Sequence, residues 1–148
     1  MKRFHVNVTV TDLDQSIDYY TTLFGEAPAV RKPDYAKWML EDPRLNFAIG
    51  TGCGAPGIGH LGLQADSAEE LAEIQGRLRA ANQAGLEQPD ATCCYAHSSK
   101  TWARDPDGVS WETFHTTGAS TTYGDDLAPE EWVATRQSPR DQVPACCG

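Results

Sequence analysis

Two histidines and one glutamate carry the first candidate chemistry. His5 lies in FHVNVTV (4–10) and His60 in GHLGLQA (59–65), at the same place in two similar segments 55 residues apart. Glu112 lies in DPDGVSWETF (105–114), where a carboxylate among aromatics is costly to bury unless something cationic meets it. Two imidazoles and one carboxylate can hold a divalent metal facially, leaving positions open for water, substrate or dioxygen. The donor set suits Fe(II), and Mn, Co, Ni and Zn also accept it. A lone histidine is more often a core residue with a satisfied hydrogen bond than a ligand. Matched places in a repeat, with a glutamate in phase, reverse that ordering.

The cysteines make a second candidate. There are five, an odd number, and four form adjacent pairs, Cys93-Cys94 and Cys146-Cys147, with Cys53 alone. A secreted disulfide framework spaces its cysteines along the chain, whereas adjacent ones bridge only through a strained ring. A reducing cytosol would keep such pairs as thiols. Cys93-Cys94 is therefore expected to bind a thiophilic group. Consecutive residues of a flat strand point to opposite faces, so both thiols reach one atom only from a loop or bulge. Pro89-Asp90, just upstream, allows one. Lys100, near Trp102 on the following strand, is a candidate to point inward, although such a lysine is more often solvated.

These residues need elements to position them, and the chain supplies the same set twice. Segment 4–10 alternates Val6, Val8 and Val10 against His5, Asn7 and Thr9. Segment 59–65 alternates Leu61, Leu63 and Ala65 against His60, Gly62 and Gln64. Period two marks half-buried strands, with the histidines opposite the apolar face. A helix follows each. Asp12 and Gln15 resemble a capping box before Leu13, Ile17, Tyr20 and Phe24, with Gly25 as the stop. Ser67 and Glu70 do the same before Leu71, Ile74, Leu78 and Ala81, with Gly85 as the stop. These helices read as packing elements.

Three short strands are expected after each helix, at 27–31, 35–41 and 45–49, then at 90–96, 100–104 and 109–116. Turn signals fall at Lys32-Pro33-Asp34, Asp42-Pro43-Arg44, Ser98-Ser99 and Asp105-Pro106-Asp107-Gly108. The glycine-dense stretch 50–59 links the copies. On the last strand Ser110, Glu112 and Phe114 share a face, so His115 cannot join Glu112, and His97 falls beside a turn. The fold class is α+β: two βαβββ modules forming an open β-cup around a metal site. One domain is expected over 1–117, with modules at about 1–50 and 58–117. A flexible tail is expected over 118–148, with one helical turn near 129–135.

Composition limits the partners. At 148 residues the chain suits one domain, and 40% hydrophobic with 22% charged residues is ordinary for a globular protein. A net charge of −9 argues against a nucleic-acid partner, which would need clustered Lys and Arg. No apolar run reaches the roughly 20 residues that span a bilayer, and the amino-terminal segment alternates rather than forming a signal-peptide core. A cytoplasmic location with no membrane partner is the expectation.

The paired modules, the first-strand histidines and DPDGVSWETF together resemble the vicinal oxygen chelate superfamily over residues 1 to about 116. That superfamily includes glyoxalase I, extradiol dioxygenases and the bleomycin and fosfomycin resistance proteins. A narrower likeness lies in TCCYAHSSKTWARDPDGVSWETF (92–114) with DYAKWMLEDPRLNFAI (34–49). These segments resemble the organoarsenical carbon–arsenic lyases and the cadmium-induced proteins. The resemblance implies that Cys93 and Cys94 hold a trivalent organoarsenical, and that His5, His60 and Glu112 hold Fe(II), which with dioxygen breaks the carbon–arsenic bond. His97, Ser98-Ser99 and the tail with its second cysteine pair depart from the pattern. Two other readings stay open: a thiol-based binder of cadmium or arsenite without turnover, and another dioxygenase or thiol transferase of the same fold.

Overall fold

A computed structural model describes residues 1–52 and 54–124. Cys53, the expected helical turn at 129–135 and the pair Cys146-Cys147 lie outside the described residues. The first module runs β1 (Arg3–Thr9), α1 (Leu13–Phe24), β2 (Val30–Arg31), β3 (Tyr35–Glu41) and β4 (Arg44–Gly50). The second runs β5 (Gly57–Gln64), α2 (Ala68–Ala80), β6 (Glu87–Cys93), β7 (Ala96–Arg104) and β8 (Ser110–Ala119). The strands join in one sheet of order β2-β3-β4-β1-β5-β8-β7-β6, curled into a half-barrel with the two helices. The order reads the same from both ends once each strand is matched to its repeat. The centre of the sheet is the antiparallel β1–β5 pair, flanked by the parallel pairs β1–β4 and β5–β8.

The caps show why the helices sit where they do. Asp12 accepts from the Gln15 N–H at 2.9 Å, and Gly25, at φ 76°, donates its N–H to Thr21 O. Ser67 accepts from the Glu70 N–H at 3.3 Å. The second helix does not stop at Gly85. Asn82 takes the left-handed conformation at φ 53°, and its N–H and that of Gln83 bond to Arg79 O and Leu78 O. Asparagine tolerates that conformation well enough to do glycine's work. No described helix is long and apolar enough to cross a membrane.

The valines of β1 face α1, against a core of Leu13, Ile17, Ala36, Trp38, Leu40, Phe47 and Ile49. The opposite face of β1 therefore carries His5 and Asn7 into the cup. Between β1 and β5 the register shifts at Asn7/Val8, which leaves Gly59 unpaired beside His60. A bulge there re-aims the side chain that follows it. At Gly62 an added Cβ would overlap Glu112 O and lie 3.3 Å from the His5 ring. Glycine thus lets β5 close on β8 and brings the three site residues together.

Three strand expectations change, and the first of them, 27–31, shortens to Val30–Arg31. Ser98 and Ser99 do not turn; they lie inside β7, and the β6–β7 turn is Cys93-Cys94-Tyr95-Ala96. Cys94 and Tyr95 both have positive φ, 56° and 62°, as a two-residue hairpin of the type usually built from Asn-Gly requires. The last strand also runs past 116 to Ala119, with a register shift opposite His97/Ser98.

Candidate metal and thiol site

His5, His60 and Glu112 converge from β1, β5 and β8. The two Nε2 atoms are 3.2 Å apart, and Glu112 Oε2 stands 3.6 Å from His5 and 3.4 Å from His60. Metal–ligand bonds of about 2.1 Å at right angles would place donor atoms about 3 Å apart, so this triangle fits one face of an octahedral ion. His5 Nδ1 lies 3.0 Å from Asn46 O, which fixes that nitrogen as the donor and turns the Nε2 lone pair to the centre. Burial, partly opposed by Glu112, pushes the His5 imidazole down to about 4, so it is neutral at pH 7, as a ligand must be. The 3.6 Å approach to Glu112 is accordingly not an ion pair.

Glu112 is 7% exposed. Burial alone would raise its pKa, but Lys100 and the hydrogen bond from His60 hold it below the usual carboxylate range. Lys100 Nζ lies 2.9 Å from Oε1, the oxygen turned away from the histidines. Lys100 thus points inward and neutralises the carboxylate while leaving Oε2 to the centre. Asn46 Oδ1 adds a buried acceptor without a hydrogen-bond partner among the described residues. Two imidazoles, one ionised carboxylate and this spare acceptor fit a hydrated first-row divalent ion.

The thiols open onto the same pocket. Cys93 and Cys94 line it together with the triad, Lys100, Tyr35 and Lys37. Its volume is about 70 Å³, room for several waters or one small organic group. The positive φ at Cys94 breaks the strand alternation, so the two Sγ atoms lie 2.9 Å apart on one side. The hydrogen bond between them, with burial, pushes Cys93 up. The same bond brings Cys94 down, helped by Tyr123 and Lys100. The pair thus favours ionisation of Cys94 over Cys93.

The other histidines stand apart. His97 Nδ1 pairs with Thr92 Oγ1 at 2.9 Å across the hairpin, and His115 Nδ1 lies 3.2 Å from Ala65 O. Tyr35 and Lys37 were not anticipated, although parity on 35–41 would have found them opposite Ala36 and Trp38. Tyr95 and Tyr123 carried no signal: the first occupies a backbone position that sequence assigns to glycine, and the second lies beyond the repeat.

Comparison with known proteins agrees with this geometry. Residues 2–113 match the Glyoxalase/Bleomycin resistance protein/Dioxygenase superfamily. A trivalent organoarsenical cleaving enzyme of Bacillus sp. (strain MD1) is 46% identical over 121 residues, covering 78% of this chain and 74% of that protein. The cadmium-induced protein CadI of Mycobacterium bovis (strain ATCC BAA-935 / AF2122/97) is 33% identical, covering 84% and 82%. In structure, an extradiol ring-cleaving dioxygenase from B. fuscum superposes with a TM-score of 0.59 at 14% identity, covering 78% of this chain and 32% of that one.

Proposed function

The chain belongs to the Glyoxalase/Bleomycin resistance protein/Dioxygenase superfamily, and from that premise we propose that it is an Fe(II)- and dioxygen-dependent carbon–arsenic lyase. Its substrates are trivalent methyl or aryl arsenicals, its product is arsenite, and its role is detoxification in the cytoplasm. The observation that carries this reading is one pocket lined by both a buried His-His-Glu triad and two thiols 2.9 Å apart. Relatives named for organoarsenical cleavage support the substrate class.

His5, His60 and Glu112 would hold the ion, and Fe(II) bound there would supply dioxygen activation. The chain's own residues do the rest. Trivalent arsenic is soft, and the Cys94 thiolate attacks it while a hydroxyl leaves. The Cys93 thiol then displaces a second hydroxyl, and the two hydroxyls leave as waters, one taking the Cys93 proton and the other a proton from solvent that replaces the one Cys94 lost on ionising. The organic group stays on arsenic. Two sulfurs on adjacent residues make capture chelating, so the arsenic is oriented before chemistry begins. Lys100 and Lys37 offset the negative charge that gathers beside Glu112. For a methylarsenical the overall reaction balances with one dioxygen: arsenite and one formaldehyde account for every atom.

The test is to give Fe(II)-loaded protein a trivalent methylarsenical with and without oxygen and to assay arsenite. Arsenite should appear only with oxygen, and Ni(II)- or Co(II)-loaded protein should capture the arsenical without releasing it. Equal release without oxygen would overturn the reading. The cadmium-induced relatives favour a second one, sequestration of a soft metal by the thiols without turnover. That reading wins if capture is tight and arsenite never appears.

A further inference from the structure

We propose that Tyr123 is a positioning residue for the Cys93-Cys94 dithiol, delivered to it by the segment Ser120–Gly124 folding back over the β6–β7 turn. The proposal rests on the reading of the two cysteines as the arsenical clamp. Sequence places residues 120–124 in a tail, yet three separate contacts dock them. Ser120 N–H donates to Tyr95 O at 2.8 Å. The Tyr123 ring meets Tyr95 edge-on at 5.7 Å and Tyr35 at 6.3 Å, bridging the turn to the first module. Gly124 lies so close to β6 that a Cβ would overlap Thr92 O and come within 3.1 Å of Cys93 N, and its φ of 89° also demands glycine.

The docking sets the Tyr123 phenol on the turn that carries Cys94, where it helps hold that thiol below its ordinary value. Burial and the neighbouring thiolate push the phenol above its ordinary value, so it keeps its proton and acts as donor. Cys94 has other neighbours to answer. Glu112 on β8 opposes its thiolate, while Cys93 and Lys100 favour it. From β3, Lys37 and the Tyr35 phenol also face it. Among these, Tyr123 stands on a segment with no strand or helix of its own, held among the described residues by this docking. It fixes one sulfur while Cys93 stays on β6, and so sets the direction in which the pair opens. Without the docked segment Cys94 is free to leave the shared face, and the chelate is lost although both thiols remain.

Metal-free full-length protein provides a readout independent of turnover. The rate of alkylation by iodoacetamide is measured against pH, and capture is titrated with phenylarsine oxide. Tyr123→Phe keeps the ring and removes the donor, so its alkylation profile should move up by about one pH unit, roughly tenfold slower below the midpoint. Capture at high pH should remain, because the ring still holds the turn. Gly124→Ala leaves Tyr123 in place but undocks the segment, so both the profile and capture should suffer. A Tyr123→Phe profile that overlays the parent, or a Gly124→Ala protein with parent behaviour in both assays, would overturn the proposal. Cys94→Ser separates the two readings. If it captures phenylarsine oxide as the parent does, the clamp itself is wrong; if it fails while Tyr123→Phe matches the parent, only the role of Tyr123 falls.

Discussion

The turn between the second and third strands occurs once in each module, and the two copies meet across the cup. The first, Lys32-Pro33-Asp34, is chemically plain: proline fixes the backbone, and Lys32 N–H closes the turn on Tyr35 O at 2.8 Å. The second, Cys93 to Ala96, puts two non-glycine residues at positive φ, which costs on the order of 1 kcal/mol each. Tyr95 hydroxyl bonds to Asp34 at 2.7 Å, and Lys32 lies 5.0 Å from the same ring. The duplicated turn has thus divided its labour. One copy is a support, and the other is the strained element that bears the thiols.

The same division runs through the modules. The first is packed by large rings, Tyr20, Phe24, Trp38 and Phe47 in mutual contact. The second buries Leu71, Ile74, Trp102 and Phe114 among smaller groups, Ala65, Ala91, Thr101 and Ala103, and places Lys100 and Glu112 on its inner face.

The largest expected effect of breaking the asymmetry is on the working turn. Cys93→Ser or Cys94→Ser should lower turnover by on the order of 100-fold or more, because one thiolate neither chelates nor orients the arsenic. Pro33→Ala in the opposite turn should change turnover by less than about twofold, and arsenite release assays on both compare the copies directly. Retained activity in Cys94→Ser would remove the thiols from the mechanism.

Next is Glu112→Gln. Losing the anionic ligand should weaken Fe(II) binding by on the order of 100-fold, measured by anaerobic titration. It also strips Lys100 of its carboxylate, at a cost of about 3 kcal/mol by denaturant unfolding. Adding Lys100→Met should recover most of that stability and none of the metal affinity. Arsenical capture should persist in both variants, which keeps triad and thiols separable.

A smaller effect is expected at the seam. Gly62→Ala pushes a methyl into Glu112 O and toward His5, so it should cost about 2 kcal/mol and loosen the metal site. Gly76→Ala, on the exposed side of α2 with nothing near its added Cβ, should instead stabilise by about 0.5 kcal/mol. Thermal unfolding of the pair would show whether close approach, rather than glycine content, is what matters.

The sequence reveals what periodicity can carry. Alternation in 4–10 and 59–65 puts His5 and His60 on the cup face, and parity in 109–116 puts Glu112 there and His115 elsewhere. It fails where a residue defies its own propensity. Cys94 and Tyr95 occupy positions usually held by Asn-Gly, so Ser98-Ser99 looks like the better turn, and the hairpin is misplaced by several residues. Gly85 looks like a stop, but Asn82 reaches the left-handed conformation first. Tyr123 and Gly124 follow the last alternating residue, and only tertiary contact gives them a place.

The smallest effect tests whether the two turns support each other. Tyr95→Phe removes one hydroxyl from the bond to Asp34 and leaves the ring edge-on to Tyr123 and under Lys32. Both partners are only partly buried, so water replaces the lost bond and the cost should be about 1 kcal/mol. Asp34→Ala should cost about the same, and the double variant scarcely more, because each removes the same bond. The coupling read from a double-mutant cycle should therefore be about 1 kcal/mol by denaturant unfolding. The same three variants should slow arsenical capture by a few-fold and equally, since a turn released from Asp34 must reorder its thiols before they chelate. Additive costs with unchanged capture would mean that the second turn holds its strained backbone unaided. The first turn would then be a bystander, and the division of labour between the two copies would be one of chemistry alone.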